Sequence, residues 1–326
     1  MKITFISLLF TTFFSFSQIE IIHYSDKKIH ARSAFCFTDY LVLGCNNGEV
    51  YAYHLKKGKS TVLNPVDSFP EIRDMGLCNS SFFVMQTGSK SAIFEGGSIM
   101  QFDQRGREII DSSLFLDGFA FEGNVGFAMA DPVDSLFQLF YSEDCGKNWK
   151  KCAGLPKAFE GEAAFAASGT TVQVLNKEFI FVTGCKKSRI FLSKDFGQTW
   201  SERNIPFASG ESSGAYSLGF ESRKKMVIVG GDYAKPNESA NTCFYSTNGG
   251  KKWKASKKSP NGYRSCVIYT AGVYYCCGTN GIDYSKDGGK TWKKLADNNC
   301  FTLAFDNQYI YASSINGTFL KFPRID

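Results

Sequence analysis

The chain has 326 residues with 37 basic and 31 acidic side chains, a formal charge of +6, and only 8 Pro against 31 Gly, 31 Phe and 15 Tyr. The small positive excess is spread along the sequence and never massed in a run, which argues against a nucleic-acid footprint; low-complexity and heptad patterns are absent too. A Gly-rich, aromatic-rich and Pro-poor composition suits many short strands joined by turns.

The first element is an address. MKITFISLLFTTFFSFSQ (1–18) opens with one Lys, continues through an apolar stretch and ends in the small residues Ser15 and Ser17 before Gln18. It reads as a secretory signal peptide cut after Ser17, and it is too short for a transmembrane anchor. No later stretch is long and apolar enough to span a bilayer. The expectation is a soluble protein, periplasmic or secreted, made of a signal peptide at 1–17 and one domain at 18–326.

From there one frame recurs. ARSAFCFTDYLVLGCNNGEVYAY (31–53) lines up with YRSCVIYTAGVYYCCGTNGIDYS (263–285), and CFTLAFDNQYIYASSINGTFLKF (300–322) follows the same plan. Each copy has an apolar strand, a short polar loop and an alternating strand. Seven such frames start near Arg32, Arg73, Asp117, Glu162, Gly214, Arg264 and Cys300.

The third to sixth frames each carry an eight-residue motif that ends in one of the chain's 4 Trp: SEDCGKNW (142–149), SKDFGQTW (193–200), STNGGKKW (246–253) and SKDGGKTW (285–292). In this pattern Asp144, Asp195, Asn248 and Asp287 bond backbone N–H groups of their own turn. Gly supplies a positive φ, and Trp149, Trp200, Trp253 and Trp292 pack beneath. The opening serines are 51, 53 and 39 residues apart, a spacing that suits propeller blades with variable loops.

The prediction is therefore an all-β chain, a seven-bladed β-propeller. The 309 residues after Ser17 give about 44 per blade. The last frame shows only three strands before the chain ends, so QIEIIHY (18–24) is expected to supply the fourth and close the ring.

Eleven cysteines do not form a compact disulfide framework. Cys36, Cys78, Cys266 and Cys300 read as small buried hydrophobes near inner-strand starts, Cys145 and Cys152 could pair, and Cys276 and Cys277 should face opposite ways. Without C-x-x-C or Cys/His metal spacing, and with His23, His30 and His54 all near the N-terminus, no metal and no cofactor are expected.

Beyond the boxes, GFAMADPVDSLFQLFYSEDCGKNW (126–149), GEAAFAASGTTVQV (161–174), GGDYAKPNES (230–239), GYRS (262–265) and GTNGIDYSKDGGKTW (278–292) carry a family likeness. The chain resembles Asp-box (BNR-repeat) propellers similar to the photosystem II stability/assembly factor, in a bacterial, Bacteroidetes-like branch sometimes labelled oxidoreductase or glycosyl hydrolase. The likeness runs through the mature chain and is strongest from about 115 to 293. The box alone is unspecific, since sialidases, sortilin-type receptors and xyloglucanases share it, and a photosystem role does not follow from it.

Propeller geometry places the starts of the inner strands around the channel mouth, opposite the boxes. Those residues are Arg32, Arg73, Asp117, Glu162, Tyr216, Arg264 and Cys300. Ring closure makes Arg32, Arg73 and Arg264 neighbours, and three guanidinium forks favour a carboxylate, phosphate or sulfate. The alternative is that they pair with Asp74, Asp117 and Glu162 and merely satisfy the channel. Asp232, Tyr233 and Lys235 are expected near the same face, while Asp131 and Asp134 read as turn formers.

The function expected is a non-enzymatic binding or assembly propeller, monomeric, that takes an anionic group of a protein or peptide partner. The runner-up is a sialidase-like or xyloglucanase-like glycoside hydrolase acting on a carbohydrate, with Asp117 and Glu162 as acid and base. The F/Y-R-I-P opening of sialidases is missing, and FPRID (322–326) lies at the wrong end. The oxidoreductase label has no G-x-G-x-x-G or metal set behind it.

Overall fold

The computed structural model describes residues 19–64, 71–87, 91–97, 99, 107–108 and 113–325. The segment expected as a signal peptide, with Ser17, lies outside them. The strands group into seven antiparallel sheets, one per blade. Their inner strands are Ala31–Phe37, Ile72–Cys78, Leu116–Glu122, Val172–Leu175, Ser213–Phe220, Cys266–Thr270 and Leu303–Phe305. Blade 7 is completed by Glu20–His23, which pairs along Thr318–Pro323 with Glu20 opposite Lys321 and His23 opposite Thr318. The N-terminal strand thus closes the ring and covers the edge that three strands would leave open.

The core lies between blades, because each sheet is apolar on both faces. Phe127 of blade 3 stacks on Phe179 of blade 4, with centroids 4.6 Å apart and planes 5° from parallel. Phe181 and Phe191 stack at 4.5 Å in the same cluster. Each buried ring contributes about 2–3 kcal/mol. Nearer the axis, hydroxyls of one blade bond the backbone of the next. Thr87 donates to Leu116 O (2.7 Å), Thr171 to Tyr216 O (2.9 Å), Ser265 to Phe301 O (3.0 Å) and Ser313 to Ala31 O (2.7 Å).

All four boxes fold alike. In the first, Ser142 Oγ donates to Asp144 Oδ1 (2.8 Å) and accepts Gly146 N–H (2.8 Å), and Asp144 Oδ1 accepts Asn148 N–H (2.9 Å). The same triad recurs from Ser193, Ser246 and Ser285. Each Trp is a wedge between blades. Trp200 of blade 4 lies against Phe127 of blade 3 and donates from Nε1 to Gly154 O at 2.9 Å.

Two expectations need correction. Cys145 pairs with Cys78, not Cys152, across a sequence separation of 67, and so links blade 2 to the box of blade 3. Cys145 has φ of 64° in the box turn, which carries its thiol to the end of the neighbouring inner strand, while Cys152 is buried against Gly197. Glu162 does not start the inner strand of blade 4. That strand begins ten residues later at Val172, and Glu162–Ala163 instead pairs with Gly184–Cys185, which continues into the sheet of blade 5.

Candidate ligand site at the channel mouth

The residues before that strand do something else. Segment 164–169 crosses the channel and touches four blades. Ala164 N–H donates to Asp131 Oδ1 (3.2 Å) of blade 3, and Ala166 O accepts Arg73 Nη1 (2.7 Å) of blade 2. Phe165 stacks on Tyr216 of blade 5 at 3.8 Å, and Ser168 Oγ donates to Ser265 O (2.8 Å) of blade 6. Alanines suit so narrow a space. Gly169 has φ of 73°, and a Cβ there would lie 2.2 Å from Asp74 Oδ1, so glycine is required.

Above this floor the mouth is a cavity of about 480 Å³, lined by Arg32, Arg73, Phe115, Phe165, Tyr216, Tyr233, Tyr263 and Phe301 among others, with no acidic side chain among the described residues of its wall. Four inner strands share one device, which brings Arg32, Arg73 and Tyr216 to this cavity and leaves Asp117 buried. The pairing register slips at Arg32, Arg73, Asp117 and Tyr216, each the extra residue of a β-bulge. A bulge turns one side chain out of the alternation, and here that turn is toward the axis.

Arg32 and Arg73 share a single carboxylate. Arg73 Nη2 meets Glu71 at 2.8 Å, Arg32 Nε lies 3.5 Å from the other oxygen, and both side chains remain about a quarter exposed. The Arg32 guanidinium lies over Phe301 at 4.8 Å. Burial, then the charge of Arg73, pull its pKa below the usual arginine value. Sequence reasoning passed over Glu71, although it stands two residues before Arg73 in EIR.

Arg264 is not at the mouth. It is wholly buried inside blade 6, where Nε bonds Asp283 Oδ2 (2.8 Å), Nη2 reaches the same carboxylate, and Nη1 bonds Tyr263 O (2.7 Å) and Asn280 Oδ1 (2.5 Å). The buried Asp283 would otherwise be an uncompensated charge, and it captures the guanidinium. Tyr263 takes the lining place instead. The three-arginine cluster is a pair.

Neither Asp117 nor Glu162 lines this cavity. Glu162 accepts Arg189 Nε (2.8 Å) and Nη2 (2.5 Å), Thr183 Oγ1 (2.6 Å) and Phe159 N–H (2.9 Å). Asp117 is fully buried, and among the described residues no donor reaches either oxygen. Burial first, then the neighbouring Asp131, push its carboxyl well above the ordinary range against the pull of Arg73. Asp74 is pushed up to about 8 by burial, although its oxygens accept Met75 and Phe119 N–H groups.

Tyr233 reaches the mouth and is 56% exposed. Its neighbour Asp232 faces a separate polar cavity of about 430 Å³, which Lys235 also lines. There Asp232 accepts Ser212 Oγ (2.6 Å) and Ala234 N–H (2.9 Å), bonds that hold its carboxyl below the usual range. Asp134 is a turn former with φ of 51°, whereas Asp131 supports the floor. Among the described residues no group of three or more His, Cys, Asp or Glu could hold a metal ion. No described helix is long and apolar enough to cross a membrane.

The BNR/Asp-box repeat model matches residues 283–294, over the fourth box. The chain is an Asp-box β-propeller. A second model, described as "Sortilin, neurotensin receptor 3", matches residues 137–267 of this propeller, less than half of the chain. Solved structures share the fold at low identity. YCF48 from Cyanidioschyzon merolae has a TM-score of 0.65 at 13% identity, covering 93% of this chain and 98% of that one. A structure titled "YCF48 bound to D1 peptide" has 0.63 at 13%, covering 94% and 95%. U3-55K has 0.66 at 10%, covering 94% and 98%. No curated protein matches. A fold shared at such low identity does not set the task, which the mouth must decide.

Proposed function

We propose that the protein is a binding propeller whose channel mouth takes an anionic group of a protein or peptide partner. One observation carries the reading: Arg32 and Arg73 converge on an aromatic-walled cavity, and among the described residues Glu71 is the one carboxylate paired with them. A half-neutralised guanidinium pair in a partly desolvated cleft favours a carboxylate, sulfate or phosphate. The walls of Phe115, Tyr233 and Phe301 suit an apolar or aromatic neighbour of that anion. The likeness to a propeller solved with a peptide supports the same reading.

Titration with short peptides that pair Asp or Glu with Phe or Tyr tests it. Binding should weaken with salt and be lost in the Arg32→Ala, Arg73→Ala double variant, with blade structure kept by circular dichroism. Equal binding by that variant would sink the proposal. The reading includes export, motivated by the apolar N-terminal stretch. Mass spectrometry of protein from its own cells should then find Gln18 as the first residue, and a retained Met1 would contradict it.

A further inference from the structure

His30 stands two residues before Arg32 with its backbone pinned, since its N–H bonds Asn46 Oδ1 and its carbonyl accepts Asn46 N–H, both at 3.0 Å. Its ring lies flat on Phe301, centroids 3.9 Å apart and planes 22° from parallel, and the same Phe301 ring carries the Arg32 guanidinium. The Nε2 atom is buried and has no hydrogen-bond partner among the described residues.

The groups around this imidazole come from three blades. Arg32 follows on its own strand, and Arg73 faces it from blade 2 with Glu71 between the two guanidinia. Asn46 from the turn of blade 1 and Phe301 from blade 7 are neutral. Burial first, then Arg32 and Arg73, hold the imidazole down to about 4, so in the empty mouth it is uncharged near neutral pH. An anion seated on the two arginines would cancel the charges that oppose its protonation and add one that favours it.

We propose that His30 is the third cation of the mouth, charged only when an anion occupies Arg32 and Arg73, so that the ligand enters together with a proton. The inference rests on the anion-binding reading of the mouth. His30 lies behind Phe301 and acts through the field at the arginines, which makes it a positioning residue for charge.

The sign follows from linkage. With the imidazole at about 4 in the empty site and nearer the ordinary ~6.5 in the occupied one, a proton is taken up between those limits, and affinity rises as pH falls through that window. Burial persists in the complex and keeps the occupied value below ~6.5, so the gain stays under tenfold per pH unit. Glu71 is the competing source of such a trend, because its protonation would also leave the arginines less neutralised.

Benzenesulfonate is a suitable probe, since it is ionised throughout this range and carries an aromatic ring for the walls. Isothermal titration calorimetry of the full chain, near pH 5.5 in two buffers of different ionisation enthalpy, should show net proton uptake, and binding several-fold tighter than near pH 7.5. The His30→Gln variant should bind without proton uptake and with no pH trend, while Glu71→Gln should keep both. Uptake that survives in His30→Gln and disappears in Glu71→Gln would overturn the assignment, as would binding by the wild type with no uptake. Failure of benzenesulfonate to bind at any pH would overturn the anion-site reading along with it. The wild-type uptake needs no variant, so a folding defect in His30→Gln cannot hide the answer.

Discussion

Arg73 donates from Nη1 to the carbonyl oxygen of Ala166 at 2.7 Å, so a mouth arginine of blade 2 also holds the segment that floors the channel. Among the described residues Arg32 has no such tie: it meets Glu71 and the face of Phe301. The two arginines share one ligand and differ in structural duty.

Alanine substitutions should separate those duties. Losing either guanidinium removes a charge-assisted bond worth about 1.5–3 kcal/mol, so affinity for an acidic peptide should fall roughly ten- to hundredfold in both variants. Arg73→Ala should in addition lose about 1 kcal/mol of stability, seen as a lower Tm, while Arg32→Ala melts close to wild type. Equal melting temperatures would show that the floor does not depend on Arg73.

The buried pair in blade 6 should behave oppositely. Arg264→Ala strands the Asp283 carboxylate in a site with no exposure and should cost about 3–5 kcal/mol, measured by urea unfolding. Replacing both residues by apolar ones of similar size should recover most of it. Peptide affinity of the surviving folded fraction should be unchanged. A large loss of affinity with intact stability would return Arg264 to the mouth.

This contrast also shows what the sequence could reveal. Box chemistry is local, as with Ser142, Asp144 and Gly146 bonding within five residues, so the blades were countable from spacing alone. The repeated frame likewise put Arg32, Arg73, Asp117 and Tyr216 at equivalent places, and each proved to sit in a bulge. The capture of Arg264 by Asp283 depends on side-chain packing 19 residues away inside a blade, which no period reports. Blade 4 was misread because GEAAFAASGT imitates an inner strand while Gly161 and Gly169, with φ of 72° and 73°, turn it across the axis. The Cys78–Cys145 bridge was equally hidden, since it joins neighbours in the ring that lie far apart in the chain.

The box tryptophans should carry stability and no affinity. Trp200 packs against Phe127 and Phe181 and donates to Gly154 O, so Trp200→Ala leaves an inter-blade void and an unpaired carbonyl. A loss of about 3–5 kcal/mol is expected, with anion binding kept at temperatures where the variant is folded. Abolished binding at wild-type stability would mean that the box face is the working face.

Asp117 makes the last prediction, because a buried acid whose pKa is raised leaves a signature in the pH dependence of stability. Its folded-state pKa lies well above that of the unfolded chain, raised by burial and by Asp131. The sign is therefore that of a group whose contribution is fully present below the unfolded value near ~4 and is lost as pH rises toward the folded value, at up to about 1.4 kcal/mol per pH unit. Asp117→Asn keeps the shape and neutrality of the protonated acid but cannot ionise. Urea unfolding from about pH 5 to pH 8 should find the variant near or below wild type at the acid end, then gaining on it steadily as pH rises. Parallel curves for the two proteins would mean that Asp117 ionises in the folded state as readily as in the unfolded chain, and that the carboxyl beside Arg73 is a charged partner of the mouth.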